Sequence, residues 1–219
     1  YNQRLISDKK FNKSDFGIPD DVFVMCCFNN SYKISSDEFA IWMRIMINIE
    51  KSYLLLLENN EIARENILNE LNKYDIDSKR LVFLDYIDID DHLSRHSLAD
   101  LYLDTFNYNG HTSAVDSLYA GVPVVTKLGN SFSARVCASL LEAFDMPELI
   151  VKNKNEYHDL ILKLILDRKY YLSISNKTKE KKTLSKLFNT KQYVKDFEKG
   201  LEFAFKQKKE KNIIKNIEI

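Results

Sequence analysis

From residue 22 to residue 166 the chain alternates, about six times, between a short apolar run and a longer amphipathic stretch. Val22 to Phe28 is continuously apolar, the pattern of a strand buried on both faces. A helix is expected at about 36–49, opened by the capping pair Ser35 and Glu38, with Phe39, Trp42, Met43, Met46 and Ile49 along one face. The cycle repeats with a strand at Tyr53–Leu57, a helix at about 60–73 and a strand at Arg80–Leu84. A short helix around His92, a strand at Leu101–Leu103 and a helix at about 112–120 follow, the last stopped by Gly121 with Pro123 beyond it. Then come a strand at Val124–Thr126, a helix at about 133–143, a strand at Leu149–Val151 and a helix at about 154–166. Such alternation implies an α/β fold, a Rossmann-like doubly wound parallel sheet covered on both faces.

Residues 1–15 are polar and basic and read as a connector, residues 16–205 as the domain, and residues 206–219 as a basic tail. Asp167–Lys182 is rich in Lys and Ser, and Tyr193 to Phe205 forms a further amphipathic helix. With 219 residues, 45% of them apolar, the chain can build one large core but hardly two. Five glycines and three prolines are too few for a turn-dense all-β fold. The formal net charge is zero, so any anion must be held by local geometry, and neither nucleic acid nor an acidic membrane is an expected partner. No apolar stretch reaches the ~20 residues of a membrane span. Cys26, Cys27 and Cys137 lack a CxxC spacing and read as free thiols in a reducing compartment, hence a cytoplasmic protein. Tyr1 is not preceded by an initiator Met, and the sequence reads as part of something longer.

In an open parallel sheet ligands bind beyond the carboxyl ends of the strands, so the loops there carry the candidates. After the first strand runs Phe28-Asn29-Asn30-Ser31-Tyr32-Lys33, where Lys33 can set an ammonium beside a phosphate or stay a solvated loop lysine. After the fourth comes Asp104 to Asp116, with Gly110 for close backbone approach and Thr112 and Ser113 opening a helix whose amino end suits a diphosphate. His111 stands at that helix mouth, and Asp116, one turn further in, can accept from ribose hydroxyls. The alternative there is plain N-capping by Thr112. In Asp88-Ile89-Asp90-Asp91-His92-Leu93-Ser94-Arg95, the Asp88/Asp90 pair invites a divalent cation, but acids are also favoured at a helix start. His92 and Arg95 are i, i+3 neighbours that can line a base pocket. GxSxG, HExxH, Walker A and Rossmann GxGxxG patterns are all absent, as is a Cys/His zinc pattern, which removes support for hydrolase, NTPase and dehydrogenase readings.

Taken in order, Gly17–Asp21, Phe28–Ile34, His92–Arg95, Leu98–Asp100, Leu103–Thr105, Asn109–Ser113 with Asp116, Ala120–Thr126, Ala134–Val136 and Leu187–Tyr193 resemble the C-terminal catalytic lobe of the O-GlcNAc transferase family, including bacterial enzymes with tetratricopeptide repeats. The resemblance runs from about residue 16 to 205. It implies one lobe of an inverting GT-B glycosyltransferase that moves GlcNAc from UDP-GlcNAc to Ser or Thr of proteins. By the same resemblance Asn30, Lys33, His111, Thr112 and Ser113 surround the diphosphate, Lys33 and His111 serve the chemistry, His92 and Arg95 lie around the uracil, and Asp116 meets the ribose.

No metal or other cofactor is implied, since positive side chains and a helix dipole stabilise the leaving diphosphate. The acceptor protein would approach through regions preceding this lobe, so the lobe alone is not expected to catalyse transfer. Asn30 stands where the animal enzymes have a glutamine, Ile89 where they have a lysine near the ribose, and Ser113 for the second of two threonines. Fucosyltransferase relatives lack a histidine before the threonine run, so His111 favours UDP-GlcNAc over GDP-fucose. A GT-B lobe with another donor or a glycan acceptor, and a non-catalytic Rossmann-like module, are the other readings.

Overall fold

A computed structural model describes residues 4–58 and 60–211. Six strands form one parallel sheet: β1 (Phe23–Cys27), β2 (Ser52–Leu57), β3 (Leu81–Leu84), β4 (Leu101–Leu103), β5 (Val124–Lys127) and β6 (Ile150–Val151). Their spatial order is β3-β2-β1-β4-β5-β6. The chain winds outward from β1 through β2 to β3, then returns to place β4 on the other side of β1, with Met25 opposite Leu101. The order reverses between β1 and β4, which opens a crevice at their carboxyl ends.

Helices α1 (Ser36–Asn48), α2 (Glu61–Leu71), α3 (Ile89–Arg95), α4 (Thr112–Ala120), α5 (Val136–Ala143) and α6 (Lys154–Leu166) follow the six strands in turn. The capping box of α1 forms as the sequence predicts, and burial raises the Glu38 carboxyl pKa while its bonds to Ser35 oppose that shift. Trp42 and Tyr157 are fully buried where α1 meets α6, and the indole N–H donates to the tyrosine hydroxyl at 3.3 Å. Gly121 ends α4 at φ 87°, a conformation that side chains resist.

The Lys- and Ser-rich segment becomes α7 (Arg168–Leu184), to which the sequence analysis assigned no element. It is capped by Asp167 and buries Tyr171, Ile174, Ser175 and Thr178, one stripe at helical spacing. Two of those four residues are small polar ones, which hides the stripe from a hydropathy pattern. Helix α8 (Thr190–Lys211) extends the expected helix at both ends and takes in the start of the basic tail. The rest of that tail lies outside the described residues.

The stretch read as a connector is docked on the lobe. Ser7 N–H donates to the Asp90 carbonyl (3.1 Å), Ser94 Oγ to the Lys9 carbonyl (2.6 Å), and Tyr119 Oη to the Arg4 carbonyl (2.8 Å). Lys9 pairs with Asp91 at 3.0 Å and Arg4 with Asp116 at 2.6 Å. Residues 4–9 thus run along α3 and α4. Among the described residues no helix is long and apolar enough to cross a membrane.

Candidate functional site

The crevice between β1 and β4 holds a cavity of about 390 Å³, within the usual range for small-molecule sites. Its wall includes Asn30 and Lys33 from the loop after β1, His92 from α3, and His111, Thr112, Ser113 and Asp116 from the start of α4. Seven of the eight residues singled out in the sequence therefore share one cavity, although they come from three separate segments.

Lys33 ends a 3₁₀ turn, Ser31–Lys33, which lifts it off the end of β1. Its ammonium donates to the Asn109 carbonyl at 3.0 Å and lies 3.9 Å from the centroid of the Tyr108 ring. Lys33 thus bridges the β1 loop to the β4 loop. Asn29, buried beneath it, ties the same two loops: its amide donates to Thr105 Oγ1 (2.8 Å) and its carbonyl accepts from Ser113 Oγ. Asn30 accepts from Tyr86 Oη at 2.8 Å, which brings the loop after β3 into the wall.

The start of α4 differs from those of α1, α2, α6 and α7. A side chain from Ser35, Asn60, Asn153 or Asp167 caps each of those helices, whereas the N-cap of α4 is His111, whose side chain makes no capping bond. The starts of α3 and α5 also lack a side-chain capping bond, but it is the start of α4 that lines this cavity, where its first-turn N–H groups and the helix dipole can receive an anion. Burial and the nearby Lys33 charge lower the His111 pKa, against a hydrogen bond with the Ser133 backbone that raises it, so the ring is neutral at pH 7. Its Nε2 is buried and has no hydrogen-bond partner among the described residues.

Gly110 supplies the close approach, because a Cβ there would lie 3.0 Å from both Ser113 Oγ and Tyr102 Oη and 3.1 Å from Asn29 Oδ1. The loop is anchored from below by Asp104, which is fully buried. One carboxylate oxygen accepts from Gly110 N–H at 2.5 Å and the other from Thr126 Oγ1 at 2.6 Å. Burial raises the Asp104 pKa to about 6 against the opposing pull of those donors.

Arg95 is placed differently from what the resemblance implies. It is only 2% exposed and stands behind His92, off the cavity wall. Its guanidinium is drawn inward, with Nη1 donating to the Asp85 carbonyl and Nη2 to His92 Nδ1 (2.7 and 2.8 Å). An arginine can only donate, so His92 Nδ1 must accept and the ring hydrogen must reside on Nε2. Burial, aided by the Arg95 charge, lowers the His92 pKa to about 4. His92 thus presents a fixed, neutral N–H donor to a ligand. His96, beneath it, donates from Nδ1 to the His92 carbonyl at 2.8 Å, and burial lowers its pKa to about 3.

These shifts set a pH dependence. His92 and His96 are neutral in the fold but take up protons below about pH 6.5 when unfolded, so their stabilising contribution is lost as pH falls toward 4 and 3. Asp104 acts in the opposite sense, because its folded pKa lies near 6 against 3.8, and it gains stability on acidification. His111 acts with the two imidazoles and Glu38 with Asp104, but the large shifts of His92 and His96 outweigh the carboxyl ones, so the thermal midpoint should fall from pH 6.5 to pH 4. Substituting His96→Phe should flatten that fall, as read by circular dichroism melts. An unchanged slope would count against the assignment.

The acids of the third stretch open α3: Asp88 holds the N-cap position without a side-chain capping bond, and Asp90 and Asp91 lie in its first turn. Among the described residues no three His, Cys, Asp or Glu side chains converge on one point. Arg4, Asn29, Tyr86, Asp104 and Tyr108 join the site here without a mark of their own in the sequence. Asp104 was the most accessible of them, as an acid directly following an all-buried strand.

Among solved structures, an O-GlcNAc transferase mutant from Thermobaculum terrenum matches with a TM-score of 0.72 at 24% identity, over 81% of this chain and 37% of its own. A glycosyltransferase involved in lipopolysaccharide biosynthesis matches at 0.64 and 12% identity, over 90% of this chain and 54% of its own. Fold and crevice together define the class: a Rossmann-like α/β lobe of the fold these two structures share. Residues 7–197 match the profile of glycosyl transferase family 41, and the chain belongs to that family.

The UDP-N-acetylglucosamine–peptide N-acetylglucosaminyltransferase of Caenorhabditis elegans is 35% identical over 187 residues, 85% of this chain and 16% of its own length. A probable enzyme of the same name from Arabidopsis thaliana is 29% identical over 201 residues, 91% of this chain and 21% of its own. The chain thus spans 16% and 21% of the length of these two curated relatives.

Proposed function

We propose that the crevice binds the UDP moiety of UDP-GlcNAc, and that this chain is the donor-binding lobe of an enzyme transferring GlcNAc to Ser or Thr of proteins. One observation carries the reading: the Lys33 ammonium, His111 and the uncapped amino end of α4 face the same cavity. The names of the worm and plant relatives point to the same donor and to a peptide acceptor. In an inverting transfer the acceptor hydroxyl, giving up its proton to solvent, bonds through its oxygen to the sugar C1 as the bond from C1 to the diphosphate oxygen breaks, leaving negative charge on the β-phosphate. Lys33, the N–H groups of α4 and a hydrogen bond from His111 are the groups here that can stabilise that charge, and a metal is not required for it. His92 Nε2–H suits a base carbonyl, and Asp116 suits ribose hydroxyls. Three unpaired, buried cysteines support a reducing compartment, the cytoplasm.

Isothermal titration tests the reading. UDP and UDP-GlcNAc should bind with micromolar affinity, GDP at least tenfold more weakly, and UDP equally well with magnesium or with EDTA. Equal binding of GDP would undo the donor assignment, and loss of UDP binding in EDTA would undo the metal-independent one.

A further inference from the structure

We infer that Arg4 is a positioning residue of the nucleotide site, supplying the counter-charge that lets a carboxylate stand beside a diphosphate. The inference rests on the UDP reading above. Asp116 lies one helical turn from Thr112, about 6 Å along the axis of α4. It lines the cavity, and its side chain is only 6% exposed. An unneutralised carboxylate there would repel the multiply negative diphosphate held at the amino end of the same helix, and burial would strengthen the repulsion.

Arg4 removes that conflict. Its Nη1 lies 2.6 Å from Asp116 Oδ1, and its side chain is two-thirds covered, with an exposure of 33%. The backbone is held for this purpose: Tyr119, three residues beyond Asp116 on α4, donates its hydroxyl to the Arg4 carbonyl, and Ser7 N–H bonds to α3. A carboxylate has about four lone-pair positions, so it can accept from Arg4 and from a ribose hydroxyl together. The N-terminal segment in this way stands behind the cavity wall: it keeps a sugar-reading acid while cancelling its charge.

The test compares UDP affinity by isothermal titration in the wild-type chain, Arg4→Ala, Arg4→Lys, and Arg4→Ala combined with Asp116→Asn, with melting curves to verify folding. Arg4→Ala should weaken UDP about tenfold and Arg4→Lys less than threefold. The double variant should bind UDP at least threefold more tightly than Arg4→Ala, though short of wild type because an amide accepts from the ribose less strongly than a carboxylate, since removing the uncompensated charge removes the repulsion. A merely structural strap predicts no such rescue, so a double variant as weak as Arg4→Ala, or an Arg4→Ala that binds normally, overturns the inference. A wild-type chain that fails to bind UDP would overturn the nucleotide reading and this one with it. Wild-type binding with no rescue sinks this one alone.

Discussion

Lys33→Ala is expected to weaken UDP binding by about tenfold to a hundredfold, the equivalent of ~1.5–3 kcal/mol for a charge-assisted hydrogen bond. The ammonium is already poised between the two loops of the crevice, bonded to the Asn109 carbonyl and resting on Tyr108. Little ordering entropy therefore remains to be lost when a phosphate arrives. The fold should lose far less, ~2–4 °C in melting temperature, since Lys33 is only half-buried and a single hydrogen bond, to the carbonyl of the buried Asn109, is lost. Lys33→Arg keeps the charge but replaces a compact ammonium with a planar fork too broad for the position over the ring, so partial recovery is expected. Uridine, which has no phosphate, is the control, and its affinity should be the same in both variants. If uridine suffered as much as UDP, Lys33 would be shaping the loop and not meeting the diphosphate.

The second large effect belongs to Asp104. Substituting Asp104→Ala removes both acceptors beneath the β4 loop and leaves the Gly110 N–H and the Thr126 hydroxyl buried without their partner. Each stranded donor costs about 1–3 kcal/mol, so a loss of roughly 2–6 kcal/mol and about 5–20 °C in melting temperature is expected. UDP affinity should fall as well, because Gly110 and Asn109 would no longer be pinned under the mouth of α4. Asp104→Asn keeps one acceptor and should fall between the two. A melting temperature for Asp104→Ala within 2–3 °C of wild type would mean that water replaces the carboxylate and that the anchor is dispensable.

Much of this architecture could be read without coordinates, for a physical reason. A strand buried on both faces has few ways to look in sequence, and Val22–Phe28 and Tyr53–Leu57 show it plainly. The loops that follow such strands inherit their place at the crevice from topology, so Lys33, His111 and Ser113 could be grouped before any distance was known. Long-range pairing was not legible. Arg4 and Asp116 are 112 positions apart, and nothing in the local composition of the N-terminal segment marks Arg4 above Lys9 or Lys10. Arg95 illustrates a subtler limit. Its i, i+3 relation to His92 is real, but the direction of the guanidinium is decided by the Asp85 carbonyl in another loop. The stripe of α7 was hidden because Ser175 and Thr178, buried in the helix, count as polar in any hydropathy scale.

The reversal of strand order between β1 and β4 divides the sheet into two halves, each wound by its own stretch of chain. A molecule lodged in the crevice touches loops from both. It would act as a clasp across the seam, and an unfolded chain has no counterpart of the clasped surface to compete for it. Occupancy should therefore slow the parting of one half from the other, with amide exchange slowing at Leu54 and at Val125 alike, though neither touches the cavity.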